Sequence, residues 1–294
     1  MMIMRTSCSF SNGPSTTFLC FVLLLFLALY DHAQAFEIGF RRGYYFKSME
    51  KINTQGCRDM ILHNKLHVEC SKSNLFSNQS QRKSLSALQL SSDPNFNDWN
   101  VKAILASTAG QSVLIALAIA IGKYMESSPL KDANFSNDCI LKGFVASIPL
   151  FALNFFVKLV FGKEAWFLEI EQSTQDTCKF LFGVQENYVK VAIGALMLSL
   201  AAGFGEEMLF RGVIQNAVTN IAGDFTGLSV ASVIFGVLHF ISPAYAILAT
   251  ISGFYFGAVF TSSGNIAIPI IAHAFYDLVA LIYNQSTMLK NVGK

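Results

Sequence analysis

Residues 225–276 read FTGLSVASVIFGVLHFISPAYAILATISGFYFGAVFTSSGNIAIPIIAHAFY, a run without a single Asp, Glu, Lys or Arg. Apart from tyrosines, its only ionisable side chains are His239 and His273. Pro243, Gly264-Asn265 and Pro269 divide it into three helix-sized pieces. A chain that stays free of charge over such a length is built to meet lipid.

Working outward, three further stretches lack all four charged residue types: Ala103 to Gly122, Gly143 to Val157, and Val191 to Gly205. The whole chain is 53% apolar and 14% charged, whereas soluble domains carry about a quarter charged residues. The reading is an all-α, polytopic transmembrane bundle with about six membrane helices after an N-terminal presequence. Their expected spans are Val101 to Lys123, Cys139 to Phe161 with a kink at Pro149, Asn187 onward to about Asn220, Thr226 to Phe240, Ala244 to Ser262, and Ile266 to Tyr283. Lys158, near one helix end, is expected to snorkel. The connector from Lys163 to Lys190 is amphipathic enough to lie along the membrane interface, and equally readable as a solvated loop. Residues 286–294 read as a polar tail.

The N-terminus reads as an address. Residues 1–35 carry Arg5, an apolar run from Phe18 to Tyr30, and Ala33-Gln-Ala35 before Phe36, the layout of a signal peptide; a retained membrane anchor is the alternative. Residues 36–95 are basic and end Ser-rich, which fits a transit peptide or a disordered luminal tail. Signal peptide, cleavage before Phe, and transit-like segment together resemble the bipartite presequences of complex plastids. A plastid membrane is therefore expected, with the endoplasmic reticulum membrane as alternative. The lipid bilayer is the partner that the composition itself demands. A net charge of +2 gives no case for nucleic-acid binding. The six cysteines form no CxxC or other close pairing, so neither a metal knuckle nor a disulfide framework is indicated.

Against this background Glu206, Glu207 and Arg211 stand out. Unpaired at a bilayer centre they would cost on the order of 8–10 kcal/mol together. Residues four apart share a helix face, so Glu207 neighbours Arg211, and His273 neighbours Asp277. Glu206 points about a hundred degrees from Glu207, which separates their roles. Each element has a plain structural reading: an ion pair, a hydrogen-bonded core histidine, an interhelical lock. A buried carboxylate beside a histidine is also suited to activating water, and a second histidine with an aspartate is suited to holding an oxyanion.

These motifs resemble those of the type II CAAX prenyl endopeptidase family, also called the Abi or CPBP family of intramembrane glutamic proteases. Glu206-Glu207-Met-Leu-Phe-Arg211 looks like its EExxxR, Phe235-Gly-Val-Leu-His239 its FxxxH, and His273-Ala-Phe-Tyr-Asp277 its Hxxx(N/D). The resemblance covers about Tyr188 to Tyr283, within a membrane domain set at 187–285 that follows the first membrane helices and connector at 96–186. It implies an endopeptidase acting on a protein or peptide substrate, with Glu206 as the base, His239 its helper, and His273 and Asp277 on the oxyanion side. Glu207, Arg211 and Phe235 would be supporting residues. The family's prenyl-protein proteases carry Asn where this chain has Asp277; an ionised Asp cannot donate to an oxyanion, so it must be protonated or orient its neighbour.

No metal or cofactor is expected. A zinc-dependent protease using the same Glu, His and Asp donors is an alternative, although no HExxH is present. A non-catalytic membrane scaffold or immunity-type protein is another, and a proton relay for transport a third. For the address, residues 1–95 fused to a fluorescent protein are expected to label plastids, and labelling of the endoplasmic reticulum alone would contradict the plastid reading.

Overall fold

The computed structural model describes residues 99–184 and 187–292. The expected signal peptide and transit-like segment lie outside the described residues. Within them, the elements are helices: α1 (Val101–Tyr124), α2 (Asn137–Ala146), α3 (Ile148–Phe161), α4 (Ala165–Phe182), α5 (Tyr188–Glu207), a π-helical segment (Met208–Gln215), α6 (Asn216–Ala222), α7 (Asp224–Leu238), α8 (Pro243–Ser263) and α9 (Ala267–Val292). Among the described residues, five stretches are long and apolar enough to cross a membrane: Val101–Tyr124, Asn137–Phe161, Tyr188–Ala222, Pro243–Ser263 and Ala267–Asn291. A polytopic helical bundle is what the charge-free runs require.

Local chemistry explains most boundaries. Asn100 caps α1 by accepting from the Ala103 amide at 3.1 Å, and Ser242 caps α8 by accepting from Tyr245 at 3.3 Å. Pro243 then occupies the first turn of α8, where its missing N–H costs nothing, and Gly264 ends that helix at a φ of 61°. Pro149 breaks the second span: it has no N–H to offer, and its ring crowds the preceding turn. Ser147 fills the break, its hydroxyl donating to the Phe144 carbonyl at 2.7 Å.

Four details depart from the sequence-based expectations. The fourth expected membrane helix, α7, has only 15 residues; at 1.5 Å per residue it is about 22 Å long, short of the ~30 Å hydrocarbon thickness. It stops because the turn at His239–Ser242 leads into Pro243. The connector is a helix and not the solvated loop that is the other reading of its sequence. It forms α4, which buries Phe167, Cys178, Leu181 and Phe182, and the last three share a core with Ile104 of α1 and Val191, Ala195 and Leu198 of α5. Burial there pushes the Cys178 thiol up to about 12, making it a poor nucleophile. Lys158 does not snorkel alone; it pairs with Glu171 of α4 at 2.6 Å. Finally, α9 runs on to Val292 through the expected polar tail, because Gln285 donates to the Gly183 carbonyl at 3.0 Å and Met288 is buried.

The core of the bundle is α9, packed against α5, α2, α4 and α8, and α1 packs against α5. Close approach of α5 and α9 is what sets the site. A Cβ at Gly203 would stand 2.9 Å from both the Ala274 Cβ and the Ile270 carbonyl oxygen. Gly203 lies one turn before Glu206 and Glu207, and Ala274 is adjacent to His273. We expect Gly203→Ala to destabilise the detergent-solubilised chain by about 1–3 kcal/mol through overpacking. Thermal or chemical unfolding measures it; a stability equal to the parent's would show that the helices can separate freely at this point.

Candidate active site

The innermost charges are Glu207 and Arg211, both fully buried. Arg211 Nη1 donates to Glu207 Oε1 at 3.1 Å, across the junction from α5 into the π-helical segment. Its Nη2 donates to the Gly253 carbonyl of α8 at 2.7 Å. One turn on, Gln215 Nε2 donates to the Gly257 carbonyl at 3.2 Å and to the Thr261 hydroxyl at 2.9 Å. The π-helical segment is thus laddered onto α8 by two side chains four residues apart. Gly257 makes the approach feasible, since a Cβ there would lie 2.7 Å from Gln215 Oε1. Three aromatic rings surround the guanidinium, at 5.0 Å for Phe235, 5.6 Å for Phe256 and 5.9 Å for Phe210. Such cation–π contacts are worth about 2 kcal/mol or more where water is excluded.

Glu207 Oε1 has a second partner. His273 Nδ1 lies 2.8 Å from it, so the carboxylate orients the imidazole of α9 as well as holding Arg211. The separation of roles by helix face is therefore incomplete, because His273 also reaches Glu206, its Nε2 lying 3.9 Å from Glu206 Oε2. The same Nε2 is 3.4 Å from Asp277 Oδ2, one turn along α9. Phe256 stacks on the His273 ring at 4.7 Å and 14°.

Glu206 faces another way, as its position on the helix requires. Its Oε1 accepts from Gln111 Nε2 of α1 at 3.0 Å, while Oε2 makes no hydrogen bond with the described residues. His239 Nε2 is 3.5 Å from that Oε2. The other nitrogen, Nδ1, lies 2.7 Å from the Phe235 carbonyl oxygen, which can only accept. Nδ1 therefore carries the proton, and in the neutral ring Nε2 presents a lone pair. Phe235 stacks on this imidazole at 4.3 Å, which accounts for an aromatic residue four before the histidine.

Exposure is graded through the site. The Glu207 and Arg211 side chains are sealed, those of Glu206 and His273 are 7% exposed, and those of His239 and Asp277 are 29% and 31% exposed. The cluster thus has a closed end at Arg211 and an open end at His239 and Asp277. Glu206, Glu207, Arg211, Phe235, His239, His273 and Asp277 are all brought together from four elements. Sequence reading missed Gln111, Gly253 and Phe256, whose partners are far away in the chain; the sole hint was the amide side chain of Gln111 inside the charge-free stretch from Ala103 to Gly122. Among the described residues, no group of three His, Cys, Asp or Glu is arranged to hold a metal ion.

Residues 188–279 match the family described as type II CAAX prenyl endopeptidase Rce1-like, bearing out the resemblance read from the motifs. The chain is also similar to the uncharacterized protein YpbD of Bacillus subtilis (strain 168), at 37% identity over 87 residues. That similarity spans 29% of this chain and 42% of the Bacillus protein. No solved structure matches.

Because Glu207 would be left buried and short of one charged partner, Arg211→Met is expected to cost about 3–5 kcal/mol. Arg211→Lys should recover part of it, since an ammonium can reach Glu207 but cannot fork to Gly253 as well. Unfolding in detergent reads both; an Arg211→Met chain as stable as the parent would contradict the assignment of this pair as the brace.

Proposed function

We propose that this chain is a membrane-embedded endopeptidase that hydrolyses a peptide bond through a water activated by Glu206 and His239. The observation that carries the reading is a pair of acceptors facing each other: Glu206 Oε2 and the lone pair of His239 Nε2, 3.5 Å apart. With the imidazole neutral and the carboxyl group ionised, neither can donate to the other, and a water molecule donating one O–H to each satisfies both. The water would sit beside the open end of the cluster, where a substrate carbonyl can approach.

The chain's own residues then account for each proton. Glu206 takes one from the water as its oxygen attacks the scissile carbonyl, and later gives it to the departing amine. The developing oxyanion needs a donor, and the site has one place for it. With Nδ1–H committed to Glu207, a single further proton on the Asp277–His273 Nε2 pair provides the donor, held either by Asp277 or by the imidazole. This gives an Asp, in place of the Asn of the family's prenyl-protein proteases, a workable role. Glu207 and Arg211 orient His273 without touching substrate.

The family match supports CAAX-type processing, in which the substrate is a protein ending in a prenylated cysteine followed by three residues. The membrane spans support a substrate presented in or at the bilayer. The presequence adds a plastid membrane as the place of action. Zinc, the alternative, would have to use the same Glu, His and Asp side chains.

Replacing Glu206 by Gln keeps the shape and removes the base. Release of the C-terminal tripeptide from an S-farnesylated CaaX peptide by the reconstituted chain should fall by about 10²–10⁴. Comparison of new protein termini in cells carrying the parental and Glu206→Gln forms extends the test to native substrates. Parental rates and unchanged termini with Glu206→Gln would sink the assignment, and stoichiometric zinc in the purified, active protein would redirect it to a metal mechanism.

A further inference from the structure

The matched segment begins at Tyr188, yet one of the two oxygens of Glu206 is held from outside it. Gln111 sits in the middle of α1, among the small hydroxyl residues Ser107, Thr108 and Ser112 of a helix without charge from Ala103 to Gly122, and its Nε2 donates to Glu206 Oε1 at 3.0 Å. The amide orientation follows from chemistry, because an ionised carboxylate only accepts. The approach is built into the backbone: a Cβ at Gly205, the residue before Glu206, would lie 2.6 Å from the Gln111 carbonyl oxygen. Farther along the same seam, the Ile104 side chain comes within 3.0 Å of a Cβ placed on Gly194, so α1 and α5 run in the same direction in close contact. A polar side chain is expensive in such a seam unless it has a task.

Resting on the reading of Glu206 as the base, we propose that Gln111 is a positioning residue that selects which oxygen of Glu206 meets the water. By fixing Oε1, it leaves Oε2 directed at His239 Nε2, where the two acceptors share one donor. Without it the carboxyl group would be free to turn about its last bond, and both oxygens would sample the polar neighbours around it. Gln111 touches neither substrate nor water; it acts through Glu206. The remaining partners of Glu206 cannot substitute: His273 Nε2 is 3.9 Å away, and the His239 proton is committed to Phe235.

The test uses the full-length chain in liposomes and two independent readouts. The first is infrared spectroscopy, in which the carboxylate band of Glu206 is the one removed by Glu206→Gln. Gln111→Met, which keeps volume and removes the donor, should shift that band, and Gln111→Asn, too short to reach, should shift it likewise. The second is cleavage of the S-farnesylated CaaX peptide, where kcat should fall about 10–10²-fold with KM within about twofold, as expected for a misplaced base. A purely structural role would lower the folded fraction while leaving the band and the kcat of the folded protein in place. An unshifted band, a parental kcat, or a loss confined to KM in either variant would overturn the proposal. Parental cleavage by Glu206→Gln would instead remove the catalytic reading, while the band shift would still report the Gln111 contact.

Discussion

One carboxylate oxygen organises this molecule. Glu207 Oε1 accepts from Arg211 at 3.1 Å and from His273 at 2.8 Å, in a part of the bundle sealed from solvent. Through Arg211 the same cluster reaches the Gly253 carbonyl, so α5, the π-helical segment, α8 and α9 all meet there. Neither charge is tolerable alone in that environment, and each finds its charged partner and its other hydrogen bonds only when the four elements dock together. The ion cluster therefore acts as a condition on folding as well as a brace. Its aromatic surround excludes water and strengthens the electrostatics within.

Around that condition the helices are arranged so that reactive groups emerge progressively toward solvent. Gly203 lets α5 meet α9 closely enough for Glu207 to reach His273. Glu206, one residue earlier, is rotated away to meet α1 and the end of α7. The shortness of α7 matters here, because its termination exposes the His239 side chain at the rim instead of burying it in a continuous helix. Backbone that leaves helical form within an apolar bundle is tolerated where it lines a polar cavity. The π-helical segment is a second such deviation, at the position where Arg211 and Gln215 must both turn toward α8. Local loosening of this kind recurs at functional sites.

Much of this was legible in the residues themselves. Absence of charge from 225–276 announced the membrane helices, and a spacing of four placed Glu207 beside Arg211 and His273 beside Asp277. What spacing along one helix cannot reveal is contact between helices. Gln111 and Glu206 are 95 positions apart, Arg211 and Gly253 are 42 apart, and no periodicity connects them. The double use of Glu207 escaped for the same reason: its second partner comes from α9. Helix ends were misjudged where a buried anchor, Gln285 on Gly183, outweighed local polarity, and where apolar composition alone stood in for the length needed to cross a bilayer.

The central claim is that Glu206 activates water directly instead of attacking the substrate itself. A single turnover in H₂¹⁸O, with enzyme in excess over the farnesylated CaaX peptide and mass spectrometry of both product and enzyme, detects an acyl intermediate that water opens at the Glu206 carbonyl. The account predicts ¹⁸O in the newly formed C-terminal carboxylate and none in the Glu206 side chain. Label in the Glu206 carboxyl group would mean that it had formed and lost an acyl intermediate, and would contradict the account.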